Sequence, residues 1–130
     1  MSFDWNEYHL VAQDLVNVNY AGTAGQEARQ RAAISRAYYA VFCVVRNYLC
    51  AKERDPTLYI PARCGNPHSQ VRKDLQGKHG QPKIAKQIGE LHEKRKRADY
   101  DDSISKPASE AEDALNLAGK ILNEIASGRI

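Results

Sequence analysis

The stretch from Ala24 to Lys52 constrains this chain more than any other part of it. Ile34, Tyr38, Val41, Val45 and Tyr48 fall on one line at helical spacing, and Tyr39, Phe42 and Leu49 form a second line beside it. A helix that is apolar over so much of its girth belongs in the middle of a bundle, touched from more than one side. Thr23, three residues ahead of Gln26, has the spacing of a capping box and is the expected start.

Shorter helices are expected around it. One runs from about Asp4 to Tyr20, with Asp4 as its cap, Glu7 three residues on, and Tyr8, Val11, Ala12, Leu15, Val18 and Asn19 on its inner face. Pro56, Pro61, Gly65 and Pro67 turn residues 55–67 into a loop. His68 to Gln76 is the next helix, closed by Gly77 and Gly80. Another runs from about Pro82 to Asp99, with proline in the first turn where its missing N–H costs little. The last runs from about Pro107 to Ser127, with Ala111, Leu115, Ala118, Leu122 and Ile125 inward and Gly128 as its stop. Sustained period-2 alternation and the hairpin dipeptides Asn-Gly and Asp-Gly are absent. The expected fold is an all-α, four- to five-helix up-and-down bundle in one domain over residues 1–130.

The composition, 42% hydrophobic and 27% charged, is that of a globular chain. The apolar run from Ala37 to Val45 is too short for a bilayer, so no membrane span is expected. MSFDWNEYHL has neither a basic leader nor an apolar signal core, which points to the cytoplasm. Three cysteines do not make a disulfide framework, and Cys43 and Cys50 lie about 10 Å apart along one helix. The net charge is +3, but it is unevenly placed: residues 63–97 hold ten Lys or Arg against three Asp or Glu. That stretch suits phosphates or an acidic partner.

The chemistry concentrates in LHEKRKRADYDD. Ile84, Ile88, Leu91, Arg95 and Ala98 share one helix face, so Arg95 occupies an inward position, and Asp99 lies one turn on. A charge on an inward stripe must be paired or must line a cleft. Arg36, within SRAYYAVF, poses the same question, and an Arg36–Asp99 or Tyr39–Asp99 contact would answer it. Such a network serves either helix register or an electropositive cleft. The remaining KRKR residues, Lys94, Lys96 and Arg97, are expected on a solvated face. Cys64, His68 and His79 match no zinc-ligand spacing, so no metal site is expected. Gly77, Gly80 and Gly89 match no phosphate-binding loop, so no cofactor is expected, and any nucleotide would be held by Arg and Lys side chains and helix ends.

RAAISRAYYAVF (Arg31 to Phe42), His68 at the start of a short helix, and then RKRADYDD resemble, in that order, the small stand-alone HEPN proteins of prokaryotes. The resemblance implies a helical bundle, a homodimer, and a nucleotidyltransferase-like partner in a toxin–antitoxin or defence-like pair. Many such proteins are metal-independent ribonucleases carrying an arginine, then four to six residues, then a histidine. Arg95 matches that arginine, while Tyr100 stands where histidine is expected. A phenol near pKa 10 is a poor proton carrier at neutral pH beside an imidazole near 6.5. The expectation is therefore a module that binds RNA, a nucleotide or a partner without cleaving RNA, with Tyr100 as a candidate acceptor of a nucleotidyl group. Two alternatives stay open: a ribonuclease using Arg95 with Tyr100 or a nearby histidine, and a purely structural bundle. His92 is three residues before Arg95 and His68 precedes it on another helix; both are expected to be exposed or capping.

Overall fold

The structure, a computed structural model, describes residues 2–130. Its helices are α1 (Glu7–Val16), α2 (Gln26–Glu53), α3 (Pro61–Cys64), α4 (Pro67–Gly77), α5 (Pro82–Tyr100) and α6 (Pro107–Ala126), with a 3₁₀ turn at Thr57–Tyr59 before α3. Among the described residues there is no strand, and no helix is long and apolar enough to cross a membrane.

As its two apolar lines require, α2 is the central element. It touches α1, α4, α5 and α6, and Ala33, Ile34, Ala37, Tyr38, Ala40, Val41, Val45 and Leu49 are shut from solvent. Ile88 and Leu91 of α5, Val71 and Leu75 of α4, and Ala118 and Ile121 of α6 close the core around it. Such dense packing means that an atom removed from the core leaves a void, so each deletion there is felt.

Three expectations about helix ends are corrected. The first helix begins at Glu7 rather than Asp4, because the Asp4 carboxylate accepts from the Asn6 amide at 3.0 Å and caps a turn ahead of the helix. It stops at Val16, because Asn17 turns extended and its side chain accepts from the Asn19 amide at 2.8 Å. Val18 is thus 97% exposed rather than inward, and Val11 also faces solvent. At α2 the cap is Gly25, with no side-chain bond, so Thr23 does not cap it. The expected loop at residues 55–67 holds the 3₁₀ turn and the four-residue α3.

Other ends follow the sequence. Gly128 sits at φ +72° past α6, where Arg129 N–H reaches back to the Glu124 carbonyl at 2.9 Å. Pro67 opens α4, and the Asn66 side chain accepts from the amides of His68 and Ser69 at 3.0 and 3.4 Å. Because Asn66 does the capping, the His68 ring is free to turn inward. Arg31 of α2 fixes the far end of α5: its guanidinium donates to the carbonyls of Ala98 at 3.1 Å, Asp101 at 2.6 Å and Asp102 at 3.3 Å. These bonds satisfy carbonyls left over at the helix terminus and hold the last turn of α5 against α2.

Candidate phosphate site

Where α2, α4 and α5 meet, the rings of Tyr38, Tyr39, Phe42, His68 and His92 form one cluster. His68 and His92 stack at 5.4 Å, His68 and Phe42 at 4.4 Å, and Tyr38 and His92 lie 5.3 Å apart. The expectation of exposed or capping histidines is therefore corrected for both. Helical spacing explains each position. His68 and Arg72 are one turn apart on α4, and His92 and Arg95 are three residues apart on α5, so each histidine shares a face with an arginine.

Tyr38 is fully buried, and its hydroxyl lies 2.6 Å from His68 Nδ1. Burial first, against the lowering charges of Arg72 and Arg95, pushes its pKa well above the ordinary phenol range, so it stays a neutral O–H. A buried hydroxyl must donate somewhere. His68 Nδ1 is the acceptor in reach, and the His68 proton accordingly sits on Nε2, as a donor. The same ring resists protonation: burial, then the Arg95 and Arg72 charges, lower its pKa. His92 is lowered further, from the ordinary 6.5 to about 4, by burial first and then by Arg72, His68, Arg95 and Lys96. At neutral pH both histidines are uncharged.

Arg95 lies over two of these rings, its Cζ 5.4 Å from the centroid of Tyr38 and 5.3 Å from that of Tyr39. It is 8% exposed, its Nη1 is 3.5 Å from an Asp99 carboxylate oxygen, and its Nε is buried without a partner. Arg72 lies along Gly89 of α5, where a Cβ would sit 3.6 Å from its Cδ, and its buried Nη1 also has no partner. Two guanidinium groups with unmet donors thus flank two neutral imidazoles. Asp99 is the single carboxylate bonded into this arrangement among the described residues, at a length that makes it a loose partner. Guanidinium donors of this kind pair with phosphate or carboxylate oxygens.

The other sequence candidates are distributed as follows. Arg36 does not meet Asp99; it is exposed and lies over the Tyr8 ring of α1 at 5.1 Å, on another side of α2. Tyr39 joins the cluster but does not bond Asp99, whose carboxylate accepts from Ser35 Oγ at 3.3 Å, one turn earlier on the same line. Tyr100 is 74% exposed. In the KRKR run, Lys94 pairs with Glu110 at 2.8 Å, Lys96 with Glu93 at 2.9 Å and Arg97 with Glu110 at 3.6 Å. Arg95 alone of the four turns inward, as its place on the stripe requires. Cys64, His68 and His79 stay apart, with His79 on Glu53 at 3.3 Å, and no metal-holding group of three such side chains occurs among the described residues.

Arg72 was missed in the sequence. The signal for it was its spacing of four from His68, which puts both on one line of α4, but nothing in the chain told which helix that line would face.

A family model for the HEPN domain matches residues 17–128. The chain belongs to the HEPN domain family. No curated protein and no solved structure matches it. The matched span begins just beyond α1, so the HEPN domain of this chain contains every residue of the two-arginine, two-histidine cluster.

Proposed function

We propose that this HEPN protein is a dimeric module that seats a phosphate of RNA or of a nucleotide between Arg72 and Arg95. The observation that carries the reading is the pair of buried, unpartnered guanidinium donors, Arg72 Nη1 and Arg95 Nε, beside uncharged His68 and His92. Arg29 Nε is likewise buried without a partner, but Arg29 lies over Tyr20 and bonds the Leu15 carbonyl, so what sets Arg72 and Arg95 apart is that their charges both act on the two histidines. By family resemblance the module works as a homodimer beside a nucleotidyltransferase-like protein of a toxin–antitoxin or defence-like pair. Tyr100, exposed on the last turn of α5, is then accessible as the acceptor: its oxygen would bond the α-phosphorus of ATP, pyrophosphate would leave, and the phenol proton would pass to a base of the partner. An unchanged mass after incubation with such a partner and ATP would remove that role.

One observation favours a second reading, metal-independent RNA cleavage. His92 is a free base three residues from Arg95, and so offers the proton acceptor that Tyr100 does not. In this reading His92 takes the 2′-hydroxyl proton as the 2′-oxygen bonds to phosphorus, the bond to the 5′-oxygen breaks, and that oxygen takes a proton from water. A pKa of about 4 makes a weak base, but a bound phosphodiester offsets the Arg72 and Arg95 charges that depress it. His68 Nε2–H donates to the phosphate.

Both readings are tested by incubating the protein with single-stranded RNA in EDTA, following binding and cleavage together. Binding without cleavage, lost in Arg95→Met, supports the module. Cleavage lost in both Arg95→Met and His92→Gln supports the ribonuclease. Absence of binding of both RNA and a mononucleotide in folded protein removes both readings.

A further inference from the structure

Beyond the histidines, the same side of α2 holds a second concentration of rings around an arginine. Arg46 lies seven residues after Tyr39 and four after Phe42, so it prolongs their line. Its Cζ is 4.7 Å from the ring centroid of Tyr59, 5.7 Å from that of Phe42 and 5.9 Å from that of Trp5. Phe42, itself buried, also stacks on His68, so the Arg46 patch and the His68–His92 pair are joined through one core ring and the Arg46 guanidinium.

Two features of this patch point outward. Arg46 pairs with no carboxylate among the described residues; its Nε and Nη2 share the Asn47 amide oxygen at 3.2 Å. That oxygen also accepts the Tyr59 hydroxyl at 2.6 Å, which fixes the orientation of a ring that is 47% exposed. An uncompensated cation beside an exposed, oriented ring suits a single nucleic-acid strand, the cation meeting a phosphate and the ring a base. An apolar protein surface fits less well, because covering Arg46 without a counter-charge would strand it.

We propose that Arg46 and Tyr59, with Trp5 beside them, form a stacking subsite for a nucleotide flanking the phosphate held by Arg72 and Arg95, so that single-stranded RNA runs along α2. The proposal deepens the phosphate reading and rests on it.

The test compares a mononucleotide, uridine 3′-monophosphate, with a 2′-O-methyl RNA strand of about ten nucleotides, long enough to cover one such surface. The methylated strand cannot be cleaved through its 2′-oxygen. Calorimetry on the full chain is expected to show tighter binding of the strand. Tyr59→Ala weakens the strand about fivefold or more and leaves the mononucleotide unchanged, while Tyr59→Phe, which keeps the ring, retains most of the affinity. Arg46→Ala lowers the slope of log K against log salt by about 0.7 for the strand, a readout that a structural role would not move.

A strand that binds no tighter than the mononucleotide overturns the subsite and leaves the phosphate site standing. So does full affinity in folded Tyr59→Ala. If Arg95→Met affects neither ligand while Tyr59→Ala still weakens the strand, the phosphate reading fails and the proposed placement fails with it. If no RNA binds and Tyr59→Ala instead changes the oligomeric state, the face is a protein interface and the proposal is wrong.

Discussion

Replacing His92 by glutamine should flatten part of the protein's acid sensitivity, and the size of the effect can be worked from the site. In the folded chain the His92 pKa falls from 6.5 to about 4, because the ring is half-buried and faces Arg72, His68, Arg95 and Lys96, with the neutral Tyr38 ring 5.3 Å away. The unfolded chain binds the proton better than the folded one. The contribution of His92 is therefore fully present above pH 6.5 and is lost as pH falls from 6.5 toward 4. At about 1.36 kcal/mol per pKa unit the whole shift is worth about 3 kcal/mol, of which about 2 kcal/mol would be lost between pH 7.5 and pH 5. Solvent reaches much of the ring and screens those charges, so roughly half of that, about 1 kcal/mol, is expected in this window. For a domain of this size that is a difference of about 3–5 °C in melting temperature. His68 loses stability in the same direction, whereas the lowered pKa values of Glu93 and Glu110 act mainly below this window. The comparison of wild type with His92→Gln cancels these shared terms. Urea denaturation at pH 7.5 and pH 5 should show the wild type losing about 1 kcal/mol more than the variant. Equal losses in the two proteins would refute the placement of His92 among those charges.

Arg95→Met should leave stability within about 1 kcal/mol of wild type, because the thioether keeps contact with the Tyr38 and Tyr39 rings and removes a buried N–H without an acceptor; urea denaturation measures it, and a loss several times larger would make Arg95 a structural residue. Tyr38→Phe should cost about 0.5–1.5 kcal/mol and release the His68 tautomer, which nitrogen NMR of the ring reports as a move away from the Nε2–H form. Gly89→Ala should stabilise the protein by about 0.5–1 kcal/mol, since the new Cβ meets Arg72 Cδ at an ordinary 3.6 Å and alanine favours a helix interior; thermal melting tests the sign.

The bundle was legible because α2, α5 and α6 carry their buried residues at strict helical spacing, and period alone identifies such elements. Arg95 was legible for the same reason, as a charge in a row of Ile84, Ile88, Leu91 and Ala98. The ends of α1 and the start of α2 were not. Asp4, Asn17 and Thr23 all have side chains that serve turns as readily as helix caps, and the choice depends on backbone angles that the residue type does not fix. The site was half legible. Spacing placed His92 beside Arg95, but the meeting of His68 and Arg72 with them depends on how α4 docks across α2 and α5. Asn66 settles that locally by capping α4, which leaves the His68 ring to reach Tyr38. Arg36 misled for the opposite reason: its apolar neighbours suggested burial, yet one step of about 100° around α2 separates it from the buried Ala37 and leaves it over Tyr8.

Arg72 and Arg95 are proposed to hold a phosphate. The most direct measurement is the affinity of single-stranded RNA for wild-type and Arg95→Met protein in EDTA, across a series of salt concentrations, with circular dichroism confirming that both are folded. Salt-dependent binding by the wild type, weakened in Arg95→Met with a log–log slope shallower by about 0.7, is the predicted result. Equal affinity and equal slope in the two proteins would contradict it, and would leave the buried Arg72 Nη1 and Arg95 Nε donors without a ligand.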